Sequence, residues 1–226
     1  MKHTSTEQGN LKAAVLISGT GSNLKALIDA VKSGKLELDI VRVVSNRALA
    51  GGIKYARAAA IPVSIISHNA YPDRQAHDDA VVRVLDKDQA ELVILAGYMR
   101  ILGEIFTARF NGCMINLHPS LLPLYKGLDT YARVLKADDQ ETGASIHLVT
   151  PGLDAGPVIS QVRIPVKTGD DATSLGKRLG PLEHKLLVAT VDQFCKGKVR
   201  FDAGDLMYEN HVLKQPLQMN HDGTFQ

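Results

Sequence analysis

The sequence has few of the features that mark secreted or membrane-embedded proteins. Its 226 residues include only two cysteines, Cys113 and Cys195, which is too few for a disulfide framework and suits a reducing compartment. No run of about 18 apolar residues occurs, so we expect no membrane-spanning helix. Residues 1–10 lack the apolar core of a secretory signal, and we expect a disordered lead-in there. These absences predict a cytoplasmic protein.

Aromatic residues and clusters of charge are also scarce. The chain has no tryptophan, 5% aromatic residues and a net charge of +2, without the basic stripe that is typical of nucleic-acid binding. Its eight histidines and two cysteines show none of the close spacings of metal sites, and no serine lies in a G-x-S-x-G pattern. We therefore predict small-molecule ligands, no nucleic-acid partner, no metal and no serine nucleophile of that type.

Five short apolar segments in the first half of the chain each end at a cluster of small or polar residues. The intervening segments have helical spacing, and after the first one Leu24, Leu27 and Ile28 lie on one helical face. Strands that alternate with helices form a parallel sheet, and ligands bind at the carboxyl ends of its strands. We therefore expect the functional residues along one edge of the sheet. The predicted strands are residues 13–17, 41–44, 63–66, 92–96 and 114–115.

The pattern changes after residue 143. Residues 144–149 and 158–166 alternate like strands, and the link between them is too short for a crossover helix, so this pair is predicted to be antiparallel. Residues 171–196 form the longest helical stretch. Because glycine weakens a helix and proline interrupts its hydrogen bonding, Gly176, Gly180 and Pro181 predict a kink or break in this stretch.

These elements predict an α/β fold with one Rossmann-like domain over residues 11–200. Its mostly parallel, twisted sheet is flanked by helices and has an antiparallel extension toward the C-terminus. Residues 201–226 are predicted to be a partly ordered tail, with a hairpin near residues 199–213 and disorder after it.

The loop after the first strand, residues 18–23, is rich in glycine and small polar residues. Glycine lets a backbone approach a ligand, and amides at a helix start favour an anion, so Gly21, Ser22 and Asn23 fit a phosphate site as well as a capped turn. As a dinucleotide fingerprint the loop lacks its third glycine, whose place Leu24 takes. An NADP-dependent reductase stays open as an alternative because Arg47 follows the second strand and suits a 2′-phosphate.

Three polar residues point to acid–base chemistry. Asn116 and His118 are two residues apart in a strand, so their side chains share a face and suit a developing oxyanion and a proton transfer. Asp154 lies in a loop flanked by glycine and proline, where it fits either a partner for that histidine or a turn that bonds its own backbone. If it is the partner, its charge is expected to raise the pKa of His118 above about 6.5.

Four stretches of this sequence resemble the folate-dependent formyltransferases. They are residues 15–24, 95–102, 116–123 and 149–159, and the resemblance extends in one order over about residues 12–200. The combination of N-x-H-P-S-L-L-P, which begins at Asn116, with L-D-x-G-P, which begins at Leu153, is its most specific part.

The resemblance implies transfer of the formyl group of 10-formyltetrahydrofolate, a co-substrate, to the amine of glycinamide ribonucleotide in purine biosynthesis. It implies that Asn116, His118 and Asp154 are the catalytic residues and that Ser145 and His147 support them. No metal is implied. The resemblance leaves open whether the protein is a monomer or a homodimer.

The binding residues are likewise implied by the resemblance. Glycinamide ribonucleotide is expected to contact Gly21, Ser22, Asn23 and Glu183. The residues implied to bound the folate site are Arg74, Met99, Arg100, Ile101, Leu102, Asn116, Thr150, Pro151, Gly152, Leu153 and Asp154.

The sequence departs from the family pattern at Asp129, where a histidine is common, and at Gly180, where some members have glutamine. These departures concern secondary substrate contacts. Formyltetrahydrofolate hydrolase and a non-catalytic folate-binding module are further alternatives. The phosphate-type loop favours a phosphorylated acceptor over water, and the intact trio favours an enzyme over a binding module.

Overall fold

The computed structural model describes residues 9–226, so most of the predicted lead-in lies outside the described residues. The described chain alternates strands and helices in its first half, as the sequence predicts. The strands are β1 (Leu11–Ile17), β2 (Leu38–Ser45), β3 (Val63–Ile65), β4 (Leu92–Leu95), β5 (Met114–His118), β6 (Glu141–Leu148), β7 (Val158–Pro165), β8 (Val199–Asp202), β9 (Asp205–Tyr208), β10 (His211–Val212) and β11 (Leu217–Gln218). The helices are α1 (Ser22–Lys32), α2 (Ile53–Ala58), α3 (Arg74–Lys87), α4 (Glu104–Arg109), α5 (Thr130–Lys136) and α6 (Ala172–Cys195).

Eight strands form the main sheet, in the order β11-β7-β6-β5-β4-β1-β2-β3. Strands β1 to β5 pair in parallel, whereas β6 is antiparallel to both β5 and β7. The predicted parallel sheet and its antiparallel extension are therefore confirmed. As expected for parallel strands covered on both faces, residues 13–17 of β1 are fully buried.

Helix starts follow local capping chemistry. The Asp73 carboxylate accepts a hydrogen bond from the Ala76 amide at the start of α3. Asp171 and Ser174 form a reciprocal capping box at the start of α6, in which each side chain bonds the other's backbone amide. Each such cap stabilises its helix by about 1 kcal/mol.

Of the predicted kink or break in this stretch, the break is wrong: α6 runs as one helix from Ala172 to Cys195 with Pro181 inside it, and the kink stays a prediction. Leucines on both sides of the proline, Leu179 and Leu186 among them, are completely buried in one core. The free energy gained when both halves of α6 pack against the same sheet exceeds the cost of the helical hydrogen bond that the proline removes.

The C-terminal part of the chain forms a second, three-stranded antiparallel sheet of β8, β9 and β10. Beyond it, β11 returns to the main sheet and pairs in parallel with β7. Within residues 9–226, no helix combines the length and apolarity needed to cross a membrane.

Candidate active site

A cavity of about 700 Å³ opens at the carboxyl ends of β4 and β5, where a parallel sheet is expected to bind its ligand. Its volume lies in the range of small-molecule sites. Three parts of the chain build it: the loop after β4, the end of β5 with the loop that follows it, and the segment after β6. The lining residues are Leu95, 97–102, Thr107, 116–119, 127–131, His147, Val149, Thr150 and 152–154.

Strand β5 delivers two of the predicted catalytic residues to the floor of this cavity. Asn116 and His118 both line it, in agreement with their spacing of two residues on one strand face. The neighbouring strand β6 places His147 opposite Asn116 and Ser145 opposite His118. The Asn116 Nδ2 atom lies 3.1 Å from His147 Nε2 and 3.5 Å from Asp154 Oδ1.

His118 has hydrogen-bond acceptors on both sides of its ring. Its Nε2 donates to the Tyr125 carbonyl at 2.9 Å, and its Nδ1 faces Asp154 Oδ2 at 3.3 Å. The residue is only 5% exposed. Because both neighbours are acceptors, the ring satisfies both contacts only when it carries two protons.

Asp154 reaches across to β5 instead of closing a turn on its own backbone. Its backbone lies in the left-handed region, with a φ of 45°, and its carboxylate contacts Asn116, His118 and His147. The Gly127 amide also donates to Asp154 Oδ2 at 2.8 Å. The carboxylate thus joins the segment after β6 to the loop after β5.

Burial decides the pKa of His118. Desolvation lowers it below its ordinary value, and the Tyr125 carbonyl and the Asp154 carboxylate, which favour the charged ring, offset only part of this effect. The prediction that the pKa of His118 rises above 6.5 is therefore wrong in direction, although the charge of Asp154 does raise this pKa, as predicted. For Asp154, burial works to raise the pKa, but its contacts with His147, the Gly127 amide and His118 prevail and lower it.

His147 and Ser145 support this arrangement from β6. The Nδ1 of His147 donates to the Leu148 carbonyl at 2.8 Å, so in the neutral ring Nε2 is free to accept from the Asn116 amide. The Ser145 hydroxyl donates to the Ser120 carbonyl at 2.7 Å and accepts from the Leu122 amide at 3.1 Å. Ser145 therefore fixes the start of the loop that carries Tyr125 and Gly127.

Most of the residues predicted to bound a folate site line this cavity. Met99, Arg100, Ile101, Leu102, Thr150, Gly152 and Leu153 do so together with Asn116 and Asp154. Pro151 and Arg74 are not among the lining residues, and Arg74 is exposed at the start of α3. Exposed apolar side chains surround the opening. They are Met99, Ile101, Leu128 and Leu153, with exposures of 61%, 59%, 73% and 54%.

The loop after β1 lies outside this cavity. Gly21 has a φ of 76°, and a Cβ atom there would lie 2.3 Å from the Gly52 Cα atom, so only glycine fits. In the described part of the chain no side chain caps the start of α1, whose N-cap residue is Gly21, so the predicted alternative that Ser22 or Asn23 is a simple cap is wrong. Ser22 is exposed, and the buried Asn23 Oδ1 atom has no hydrogen-bond partner among residues 9–226.

Glu183 lies on α6 and connects to the cavity through Tyr131. The Tyr131 hydroxyl donates to Glu183 Oε1 at 2.9 Å, and Tyr131 lines the cavity together with Asp129. Burial raises the pKa of Glu183, and the hydrogen bond from Tyr131 offsets part of that rise. At Gly180, the second position of departure, a Cβ atom would have open space around it: within residues 9–226 it would meet no heavy atom within 4 Å apart from its chain neighbours and the nearby backbone of α6.

Sequence reasoning missed the backbone groups that complete the site. The Tyr125 carbonyl and the Gly127 amide contact His118 and Asp154, but a backbone group has no residue-type signature. The length of the loop between β5 and α5 was the available signal. Among residues 9–226, no group of three or more histidine, cysteine, aspartate or glutamate residues is arranged to hold a metal ion.

Comparisons with known proteins identify the relatives of this chain. The family described as formyl transferase matches residues 11–191. Phosphoribosylglycinamide formyltransferase of Escherichia coli K12 is 39% identical over 200 residues, which cover 88% of this chain and 92% of the relative. Trifunctional purine biosynthetic protein adenosine-3 of Bos taurus is 42% identical over 198 residues, and the match spans only 20% of that longer protein. The structure of phosphoribosylglycinamide formyltransferase from Coxiella burnetii superimposes with a TM-score of 0.87 at 40% identity, and the match covers 90% of this chain and 96% of that one.

Proposed function

The chain belongs to the formyl transferase family, and on that premise we propose that Asn116, His118 and Asp154 transfer the formyl group of 10-formyltetrahydrofolate to the amine of glycinamide ribonucleotide. The reaction is a step of purine biosynthesis. The observation that carries the residue assignment is the contact of one carboxylate, Asp154, with both Asn116 and His118 at the floor of the cavity. An amide donor, an imidazole and a carboxylate in contact are suited to acyl transfer.

The cavity suits a folate in size and in the chemistry of its lining residues. Its apolar rim of Met99, Ile101, Leu128 and Leu153 offers large hydrophobic surface to flat aromatic rings. Arg100 in the same wall offers a cation to a carboxylate. The bound 10-formyltetrahydrofolate supplies the formyl carbon, which has to lie near Asn116 and His118 for the reaction.

The reaction begins with an attack of the glycinamide amine on the formyl carbon, and Asn116 stabilises the charge that this attack produces. The amine nitrogen forms a bond to the formyl carbon while the carbonyl electrons move onto oxygen. The Asn116 amide donates a hydrogen bond to that oxygen, and its contact with His147 holds the amide in place. Cleavage of the bond from the formyl carbon to the folate nitrogen completes the transfer, and the proton lost by the amine ends on that nitrogen.

His118 carries this proton. Its lowered pKa keeps the ring neutral in the free protein near pH 7, so it is ready to accept the proton of the attacking amine, directly or through a water. Once charged, the ring makes hydrogen bonds to both the Tyr125 carbonyl and Asp154. These contacts are stronger for the charged ring, so they stabilise the charge as it develops rather than the resting state.

We place the acceptor at the neighbouring strand ends. Strand β1 pairs with β4 in the sheet, so the loop with Gly21, Ser22 and Asn23 lies beside the loop after β4, which lines the cavity. We assign the phosphate of glycinamide ribonucleotide to this first loop. Glu183, held by Tyr131, is assigned a polar group of the same acceptor. Because His118 lies at the end of β5 on the far side of β4, the acceptor extends from the loop across the strand ends to the floor.

The NADP-dependent alternative is weakened by the structure of the first loop. Leu24, at the third glycine position, is fully buried as part of the core face of α1, so the fingerprint needed for close approach of a dinucleotide is incomplete. Hydrolysis of 10-formyltetrahydrofolate by water differs from the proposed reaction only in the acceptor. We propose a cytoplasmic enzyme without nucleic-acid or membrane partners that is a monomer or a homodimer.

The test is product formation by purified protein with both substrates. We expect formylated glycinamide ribonucleotide and tetrahydrofolate in equal amounts, and no release of formate above background when the acceptor is omitted. Formate release that does not depend on the acceptor would establish the hydrolase, and a fluorescence change with NADPH but no response to a folate would establish the reductase.

A further inference from the structure

The cavity wall after β4 is a segment without regular structure. Residues 97–103, here called the wall segment, lie between β4 and α4 and include Met99 and Arg100. Two side chains from outside the cavity hold its backbone. The Ser18 hydroxyl accepts from the Met99 amide at 2.8 Å, and the Asp78 carboxylate accepts from the Gly103 amide at 2.8 Å. The position of this wall therefore depends on buried polar groups behind it.

Of the two side chains that hold the wall segment, Asp78 has contacts with both of its carboxylate oxygens. It lies on α3, is 1% exposed, and is not one of the lining residues. While Oδ2 accepts from Gly103, Oδ1 lies 3.2 Å from His77 Nδ1 and 3.8 Å from Arg100 Nε. A buried carboxylate is costly unless each oxygen is paired, and here one partner is the adjacent residue of α3 and the other two belong to the wall segment.

His77 fixes the orientation of this carboxylate from the other side. Its ring is fully buried, and its Nε2 contacts the Ile66 carbonyl at 3.0 Å. The Tyr71 ring packs against the His77 ring edge to face, with centroids 5.6 Å apart. His77 thus has little freedom to turn, and Asp78 stays directed at the wall segment.

Arg100 connects this buried group to the cavity. It lines the cavity, and its side chain is 17% exposed. Its Nε atom is buried and makes no hydrogen bond within the described chain. Asp78 is the carboxylate that lies within 4 Å of it in the described part of the chain, so the direction in which the guanidinium faces the cavity depends on that carboxylate.

We propose that Asp78 is a positioning residue for the formyl donor: from behind the cavity it holds the wall segment through Gly103 and sets the direction of Arg100. Asp78 touches neither substrate. The proposal rests on the proposed function, because it assigns this wall to the folate. It predicts that a change at Asp78 alters the affinity for the formyl donor and leaves the affinity for the acceptor and the catalytic rate constant unchanged.

The first variant is Asp78→Asn, which keeps an acceptor oxygen for the Gly103 amide but removes the charge that faces Arg100. We expect the KM for 10-formyltetrahydrofolate to rise about tenfold, with kcat and the KM for glycinamide ribonucleotide within about twofold of the parent. The matched control is Asp79→Asn on the same helix, whose carboxylate accepts a hydrogen bond from the exposed Gln75 side chain. This control is expected to leave all three constants unchanged.

A double variant separates positioning from loss of structure. Arg100→Met alone is expected to raise the same KM, and adding Asp78→Asn is expected to raise it little further, because residues that act as a unit are not additive. If the two effects multiply, Asp78 does not act through Arg100. An equal rise of both KM values, or a fall in kcat alone, would also overturn the proposal.

Thermal unfolding and circular dichroism report whether Asp78→Asn folds. If it does not, Asp78→Glu keeps the charge and displaces both oxygens by one methylene, and the same selective rise in KM is expected. A folded Asp78→Glu with an unchanged KM for the formyl donor would contradict the proposal. Failure of the proposed function is distinguishable, since the unmodified protein would then form no product from the two substrates.

Discussion

The floor and the rim of the cavity are built in opposite ways. On the floor, Asn116 and His118 extend from a strand, and His118 and Asp154 are almost completely enclosed. On the rim, Met99, Ile101, Leu128 and Leu153 stand on loops and are more than half exposed. The polar groups of the floor are in contact with one another before any ligand arrives, whereas the rim exposes apolar surface that only a ligand or a partner can cover.

This difference assigns different tasks to the two regions. Groups held in place before the reaction stabilise charge without a reorganisation cost, so the floor is suited to lowering the activation barrier. Exposed apolar side chains gain free energy only when water leaves them, so the rim is suited to binding. Changes on the floor are therefore expected to alter kcat, and changes on the rim are expected to alter KM.

The largest effect is expected from the floor. Asp154→Asn removes the negative charge that favours charged His118 and weakens the hold on Asn116, and we expect kcat to fall about 10²–10⁴-fold with substrate affinities largely kept. Steady-state kinetics with both substrates measures this split.

The combination of Asp154→Asn with His118→Ala tests whether the floor acts as one unit. The double variant is expected to be little slower than the worse single variant, because residues of one catalytic unit are not additive. Fully multiplicative losses would show that Asp154 only shapes the turn.

A smaller effect is expected from the acceptor loop. Removing the Ser22 hydroxyl and the Asn23 amide by Ser22→Ala and Asn23→Ala is expected to raise the Kd for glycinamide ribonucleotide by about tenfold together, or ~1.4 kcal/mol, without a change in folate affinity. Equal weakening of both affinities in the folded variant would contradict the assignment. Gly21→Val is unsuited to this test, because its Cβ would lie 2.3 Å from the Gly52 Cα atom and the loss of stability would obscure the binding effect.

The sequence predicts the strands and helices well because their periodicities are local. It predicts Asn116 and His118 as neighbours because two residues of one strand share a face, and the family resemblance adds Asp154. It does not reveal that α6 continues through Pro181, because Leu179 and Leu186 pack in one core with strands that are distant in sequence. It also fails for the pKa of His118, because burial is a property of the folded chain. Asp78 escapes notice for the same reason, since only the fold brings it to Gly103.

On the rim, single truncations are expected to have modest effects. We expect Leu128→Ala and Leu153→Ala each to raise the KM for 10-formyltetrahydrofolate about threefold to tenfold, because each removes apolar contact area that the ligand covers. The kcat value is expected to stay the same. Val212→Ala is the control, since Val212 is also an exposed apolar residue but lies on β10 of the separate sheet. A fall in kcat with unchanged KM would remove the distinction between rim and floor.

The smallest effect is a shift in one titration. Because burial lowers the pKa of His118 below 6.5 in the folded protein, the neutral ring contributes stability that is fully present above about pH 6.5 and is lost as the pH falls toward the folded pKa. Activity is expected to decline over the same acidic range, since a charged His118 cannot accept the proton of the amine. In Asp154→Asn the pKa of His118 is expected to fall further, because Asp154 raises it in the parent. NMR titration of His118 in the two proteins measures both values directly. A pKa above 6.5 in the parent would mean that the charged ring is the resting form and that His118 stabilises the oxyanion from the start, while an unchanged pKa in the variant would separate Asp154 from the proton transfer.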